Sequence, residues 1–86
     1  MFVILTYDVG VKRNARVLKE CRRYLRHVQK SVFEGELTEK QLVQLKNKIA
    51  TLINVEQDQV AIYKFIRSGL VEKDTIGYHI VNENVI

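Results

Sequence analysis

The chain has 86 residues, with 14 Lys and Arg against 10 Asp and Glu, 47% hydrophobic residues, one cysteine and no proline. That length is one domain with a marginal core, and the hydrophobic fraction excludes an intrinsically disordered chain. No apolar run approaches the ~20 residues that span a bilayer, and no signal-peptide pattern precedes the first strand, so the expectation is a soluble, cytoplasmic protein without a membrane partner. A lone cysteine, Cys21, forms neither an intrachain disulfide nor a Cys-rich zinc site; its place on the apolar side of a helical pattern marks it as core. The net charge of +4 hides an asymmetry: Lys12 to Lys30 holds eight basic residues and one acid, Glu20. One region is built for a polyanion.

Phe2 to Tyr7 (FVILTY) is a continuous apolar run rich in β-branched and aromatic residues, the pattern of a central strand covered on both faces. It ends on Asp8, and Val9-Gly10 supplies the turn. Residues 12–26 read as a helix. Lys12, Arg16, Lys19, Arg23 and Arg26 fall within an arc of about 80° at ~100° per residue, while Val17, Leu18, Cys21, Tyr24 and Leu25 cluster on the other side. Surface faces usually mix charge signs, and like charges four residues apart repel, so a single-sign stripe points to nucleic-acid contact. An acidic protein partner and a merely solvated face are the alternatives.

His27 to Leu37 (HVQKSVFEGEL) is strand-like but alternates poorly, which predicts a break or bulge near Lys30-Ser31, or one twisted strand. Thr38-Glu39-Lys40-Gln41 is a capping box opening a second helix, with Leu37 and Leu42 placed as a hydrophobic staple and Leu42, Leu45, Ile49 and Leu52 as its buried stripe. Asp58 to Ile66 is a further strand. Arg67-Ser68-Gly69 turns away into a polar connector, and the alternating tail from Thr75 reads as a spare strand suited to a sheet edge, its own or a partner's. The order predicts an α+β sandwich of ferredoxin-like type, with an antiparallel sheet and two helices on one face. Residues 1–66 form the core domain, and residues 67–86 a connector and C-terminal strand.

Asp8 has two readings. A lone Asp at a strand end is most often a turn former, and one carboxylate makes a poor magnesium site because the ion takes about six oxygens. In a twofold dimer with the first strands near the axis, two copies of Asp8 would face each other and require a cation between them. Such an ion would polarise a phosphodiester and lower the pKa of a bound water, with the basic helix gripping phosphate. His27, on a strand beside basic residues, is a candidate for phosphate contact or proton transfer. No H-E-x-x-H, Gly-rich phosphate loop or zinc spacing occurs, and the RNA-recognition-motif strand is absent.

The strand ending in Tyr7-Asp8-Val9, the basic helix, Val28-Gln29-x-Ser31-Val32-Phe33-Glu34-Gly35-Glu36-Leu37 before a helix, and the Asp58–Tyr63 D-x-V-x-I-Y strand together resemble the small CRISPR-associated adaptation endonuclease family, the partner of the CRISPR integrase. The resemblance covers about residues 2–66. It implies a ferredoxin-like homodimer whose C-terminal strand crosses onto the partner's sheet. It also implies a magnesium-dependent (alternatively manganese-dependent) endonuclease cutting single-stranded RNA or double-stranded DNA, with Asp8 as metal ligand and catalytic acid. The dimer is further expected to bridge the integrase and lie against duplex DNA. Lys12, Arg13, Arg16, Lys19, Arg23 and Arg26 are the expected nucleic-acid contacts, with Tyr7, His27, Ser31 and Phe33 in the active region. Where the family commonly has arginine before V-Q, this chain has His27, with Arg26 one residue earlier. A non-catalytic nucleic-acid scaffold and a toxin-like ribonuclease of similar fold are the alternatives.

Overall fold

The structure is a computed structural model and describes residues 1–78. It runs β1 (Phe2–Asp8), α1 (Val11–Arg22), β2 (Arg26–Gln29), β3 (Val32–Glu36), α2 (Glu39–Leu52), β4 (Gln59–Arg67) and β5 (Leu70–Gly77). The sheet order is β2-β3-β1-β4-β5, with every neighbouring pair antiparallel. This is the expected ferredoxin-like sandwich with one added strand.

Period-two alternation decides the two faces of the sheet. Val3, Leu5 and Tyr7 of β1 are buried, together with Phe33 of β3 and Val60 and Ile62 of β4. They meet Val17 and Cys21 of α1 and Leu42, Leu45 and Ile49 of α2 in one core. Both helices therefore cover the same face. The opposite face carries Phe2, Ile4, Thr6 and Asp8, in register with Phe65, Tyr63, Ala61 and Gln59 of β4. The Phe2 and Phe65 rings lie 5.9 Å apart there, and no helix covers them.

The capping box forms as the sequence predicts: Gln41 N–H donates to the Thr38 hydroxyl, and the Gln41 carboxamide accepts from Thr38 N–H at 2.9 Å. Leu37 and Leu42 are both buried beside it. The break at Lys30-Ser31 is also present, as a two-residue turn between β2 and β3, with a register shift between His27 and Gln29.

Two boundaries differ from expectation. The first helix ends at Arg22, four residues early. Arg23 and Tyr24 N–H donate to Glu20 and Cys21 carbonyls, a tightened last turn that lets Leu25 enter the core and Arg26 begin β2. Arg26 is thus a strand residue and leaves the helix stripe, which keeps Lys12, Arg16, Lys19 and Arg23.

The segment expected as a connector from residue 67 is instead the turn and β5 of a hairpin, turning at Ser68-Gly69. Its acids are matched across the sheet and to α2: Lys64 meets Glu72 at 3.4 Å and Asp74 at 3.2 Å, and Asp74 also accepts from Lys46 at 2.8 Å. The tail from residue 79, expected to pair across a dimer, lies outside the described residues. Where β5 ends, Gly77 has φ 109° and an added Cβ would fall 2.1 Å from the Asp58 carbonyl oxygen. Only glycine fits there.

Phe33 is fully buried and carries a ring on either side, His27 at 4.5 Å and Tyr7 at 6.1 Å. Phe33→Ala is expected to destabilise the chain by about 3–5 kcal/mol in urea unfolding, the cost of a large buried aromatic. A loss below about 1 kcal/mol would mean that Phe33 is not packed as described.

Candidate functional site

Asp8 is the last residue of β1, opposite Gln59, and its side chain is exposed. It makes no hydrogen bond or ion pair among the described residues. Strand alternation puts it on the helix-free face, while the preceding Tyr7 points into the core. Sequence neighbours here serve opposite sides of the sheet. The Tyr7 hydroxyl is held above its ordinary pKa by burial and by the neighbouring Cys21, with a hydrogen bond to Ser31 opposing the shift. Burial, aided by the Glu20 charge, pushes the Cys21 thiol up to about 12, so it is core material and not a nucleophile.

What fixes the Asp8 loop is a residue whose role the sequence did not disclose. Asp58 begins the approach to β4 and is 0% exposed. Its carboxylate accepts from Gly10 N–H and Asn54 N–H, at 2.9 and 2.8 Å, and from the Nε and Nη2 of Arg13 in a forked pair. Each acceptor oxygen is satisfied twice, which is how a buried charge is tolerated. The Arg13 guanidinium passes so close that a Cβ on residue 10 would lie 2.7 Å from its Nη2, so a larger residue there would have to displace the guanidinium. The pair ties the β1–α1 loop to the α2–β4 loop, and so sets where Asp8 and the first turn of α1 sit.

The remaining predicted residues divide into groups. Lys12, Arg16, Lys19 and Arg23 are exposed on the outer side of α1, and only Arg23 has an ion-pair partner, Glu20 at 3.6 Å. Arg13 faces away from them into its pair with Asp58. Arg26 is bonded to Glu34 on the helix-free face, the face of Asp8. His27 lies flat on Phe33 with Nε2 2.6 Å from the Lys30 carbonyl oxygen. Tyr7, His27 and Ser31 come together, with Asn14, Leu18 and Lys30, around a cleft of about 350 Å³ between α1 and the sheet. Asp8 is not part of it. Among the described residues no three His, Cys, Asp or Glu side chains group as a metal-binding cluster.

An antiparallel ferredoxin-like sandwich with an unpartnered strand-end carboxylate and a basic first helix defines a class, and the comparisons specify it. The family model described as CRISPR associated protein Cas2 matches residues 1–72, and the chain belongs to that family. A protein of Frankia alni named CRISPR-associated endoribonuclease Cas2 is 36% identical over 86 residues, covering 100% of this chain and 99% of its own length. The "CRISPR-associated endoribonuclease Cas2 2" of Archaeoglobus fulgidus is 42% identical over 77 residues, covering 90% of this chain and 84% of its own. Among solved structures, that of Streptococcus pyogenes Cas2 superposes with a TM-score of 0.70 at 34% identity, over 74% of this chain and 84% of its own.

Asp58 is held well below the usual carboxylate range, first by the Arg13 hydrogen bond and then by the Asn54 and Gly10 amides, against the opposing effect of burial. A depressed pKa stabilises the fold above the unfolded-state value near 4 and ceases to do so as pH falls through the folded value. Asp58→Asn is therefore expected to lower stability by roughly 2–4 kcal/mol at pH 7. It should also flatten the acid limb of the stability profile below about pH 4. Urea unfolding of both proteins between pH 2 and 7 checks this; parallel acid limbs would rule out Asp58 as their source.

Proposed function

We propose that the chain is a metal-dependent endoribonuclease of CRISPR adaptation that works as a homodimer, with Asp8 as its catalytic carboxylate. The observation that carries the reading is Asp8 itself: an exposed carboxylate at the edge of an apolar sheet face, fixed through a buried clamp, and without a partner among the described residues. The named relatives support ribonuclease activity. The helix-free face supports association, since Phe65 and Val71 remain 37% and 51% exposed on a surface that also holds Phe2 and Ile4. A second copy packed on that face would supply the second Asp8 that one chain lacks. A magnesium ion, or manganese in its place, would there polarise the scissile phosphate and activate water. Arg26 lies on the same face, although Glu34 already neutralises it.

The test uses wild-type and Asp8→Asn protein with single-stranded RNA and duplex DNA, titrating magnesium and following binding in parallel. Cleavage by the wild type is expected to need the metal and to fall at least a hundredfold, on the order of one acid–base group, in the variant, with binding kept. Equal cleavage by both proteins would remove Asp8 from the chemistry.

A second reading has its own observation. The outer face of α1 presents Lys12, Arg16, Lys19 and Arg23, of which only Arg23 meets an acid, the largely buried Glu20, and such a surface suits a scaffold that holds duplex DNA for the integrase. Lys19→Glu with Arg23→Glu is expected to weaken duplex binding and to reduce the slope of log affinity against log salt by about one per lost phosphate contact. An unchanged slope in a filter-binding salt series would take the stripe out of the interface. One dimer can serve both readings.

A further inference from the structure

The cleft beneath α1 is separate from Asp8 and has no place in the chemistry above. It is walled by Tyr7 from β1, Asn14 and Leu18 from α1, His27 from β2, and Lys30 and Ser31 from the β2–β3 turn. Its volume, about 350 Å³, is too large for a bare phosphate and falls within the range of small-molecule sites. The wall holds no carboxylate. Four of its groups can donate a hydrogen bond: the Tyr7 and Ser31 hydroxyls, the Asn14 carboxamide and the Lys30 ammonium.

The apolar part of the wall is equally specific. Leu18 lies on one side, and the His27 ring is fixed flat by Phe33 and by its bond to the Lys30 carbonyl. A flat, rigid ring beside an aliphatic side chain suits a planar heterocycle, and an amide such as Asn14 can read its edge. Lys30 suits the attached phosphate.

We propose that this cleft is a nucleotide pocket, taking one phosphate-bearing nucleotide with its base against Leu18 and His27 and its phosphate toward Lys30. The inference deepens the nucleic-acid reading and takes its ligand class from it. Tyr7 and Asp8 are consecutive, about 3.8 Å apart at Cα, but face opposite sides of the sheet. The pocket therefore opens on the side of the sheet away from Asp8, and contributes binding, not chemistry.

The experiment is a titration of the isotope-labelled full chain with uridine monophosphate, uridine and inorganic phosphate, followed by backbone amide shifts. Uridine monophosphate is expected to saturate and to move the amides of Asn14, His27 and Ser31. Uridine and phosphate should each bind at least tenfold more weakly, about the size of one charge-assisted contact. Lys30→Gln, at an exposed position that leaves the core intact, should cost uridine monophosphate about the same factor. Shifts confined to Lys12, Arg16 and Lys19, equal binding of phosphate alone, or no effect of Lys30→Gln would each overturn the pocket. The same titration on Asp8→Asn separates the two proposals: binding kept where cleavage is absent supports the pocket whatever becomes of the nuclease reading, and cleavage by wild type without cleft binding overturns the pocket alone.

Discussion

The Asp58 carboxylate is the point on which the functional end of the molecule depends. Its side chain reaches Gly10 and Arg13 on one loop and Asn54 on another, and its backbone carbonyl accepts from Tyr78 N–H where β5 ends. Three segments distant in sequence thus converge on one residue. A buried carboxylate without these donors would cost more than the domain's small core could offset, so the interactions are obligatory once Asp58 is buried. Two glycines follow from the same crowding. Gly10 leaves room for the guanidinium, and Gly77 for the Asp58 carbonyl. The loop that carries Asp8 is consequently positioned by groups that do not themselves touch solvent chemistry.

From that fixed end, strand alternation distributes the candidate functions. Tyr7 goes to the helix side, where it packs near Phe33 and lines the cleft; Asp8 goes to the helix-free side, at the edge of an apolar sheet face. A one-residue slip of β1 would exchange the two, placing a carboxylate in the core and a tyrosine in solvent. The register with β3 and β4 is set by five and seven paired residues, so such a slip would disrupt both ladders at once. Placement of Asp8 and core packing are in this sense one constraint.

Much of this was legible in the sequence because it is local. The capping box at Thr38, the central strand β1 and the break at Lys30-Ser31 each depend on a few neighbouring residues and formed as read, although among the described residues helices cover only one of the two faces of β1 that its apolar run led one to expect covered. The errors lie where distant residues decide. Helical periodicity continues through Arg26, yet α1 stops at Arg22 because Leu25 is needed in the core and β2 must pair with β3. The residues from Leu70 to Asp74 read as a polar connector because their charges look solvated, but Lys46 and Lys64 neutralise them from α2 and β4. Helical spacing puts Arg16 on the basic stripe and Arg13 off it, but only the fold, by bringing Asp58 beside Arg13, shows that it is a structural cation. Asp58 stood in the sequence as the first residue of the D-x-V-x-I-Y motif, with nothing local to mark it as the buried acid.

That separation of cations sharpens what the basic segment is for. Arg13 is neutralised by Asp58, Arg26 by Glu34, and Arg23 has Glu20 at longer range. Lys12, Arg16, Lys19, Arg22 and Lys30 have no ion-pair partner among the described residues. They are grouped on the outer side of α1, at its flank and around the cleft beneath it. Self-repulsion across one helix destabilises a small domain, and a chain free to place acids there would relieve it. The arrangement makes physical sense when a polyanion supplies the missing charge, with the phosphates of a nucleic acid drawn to α1 and Asp8 held on the opposite sheet face at the same end of β1.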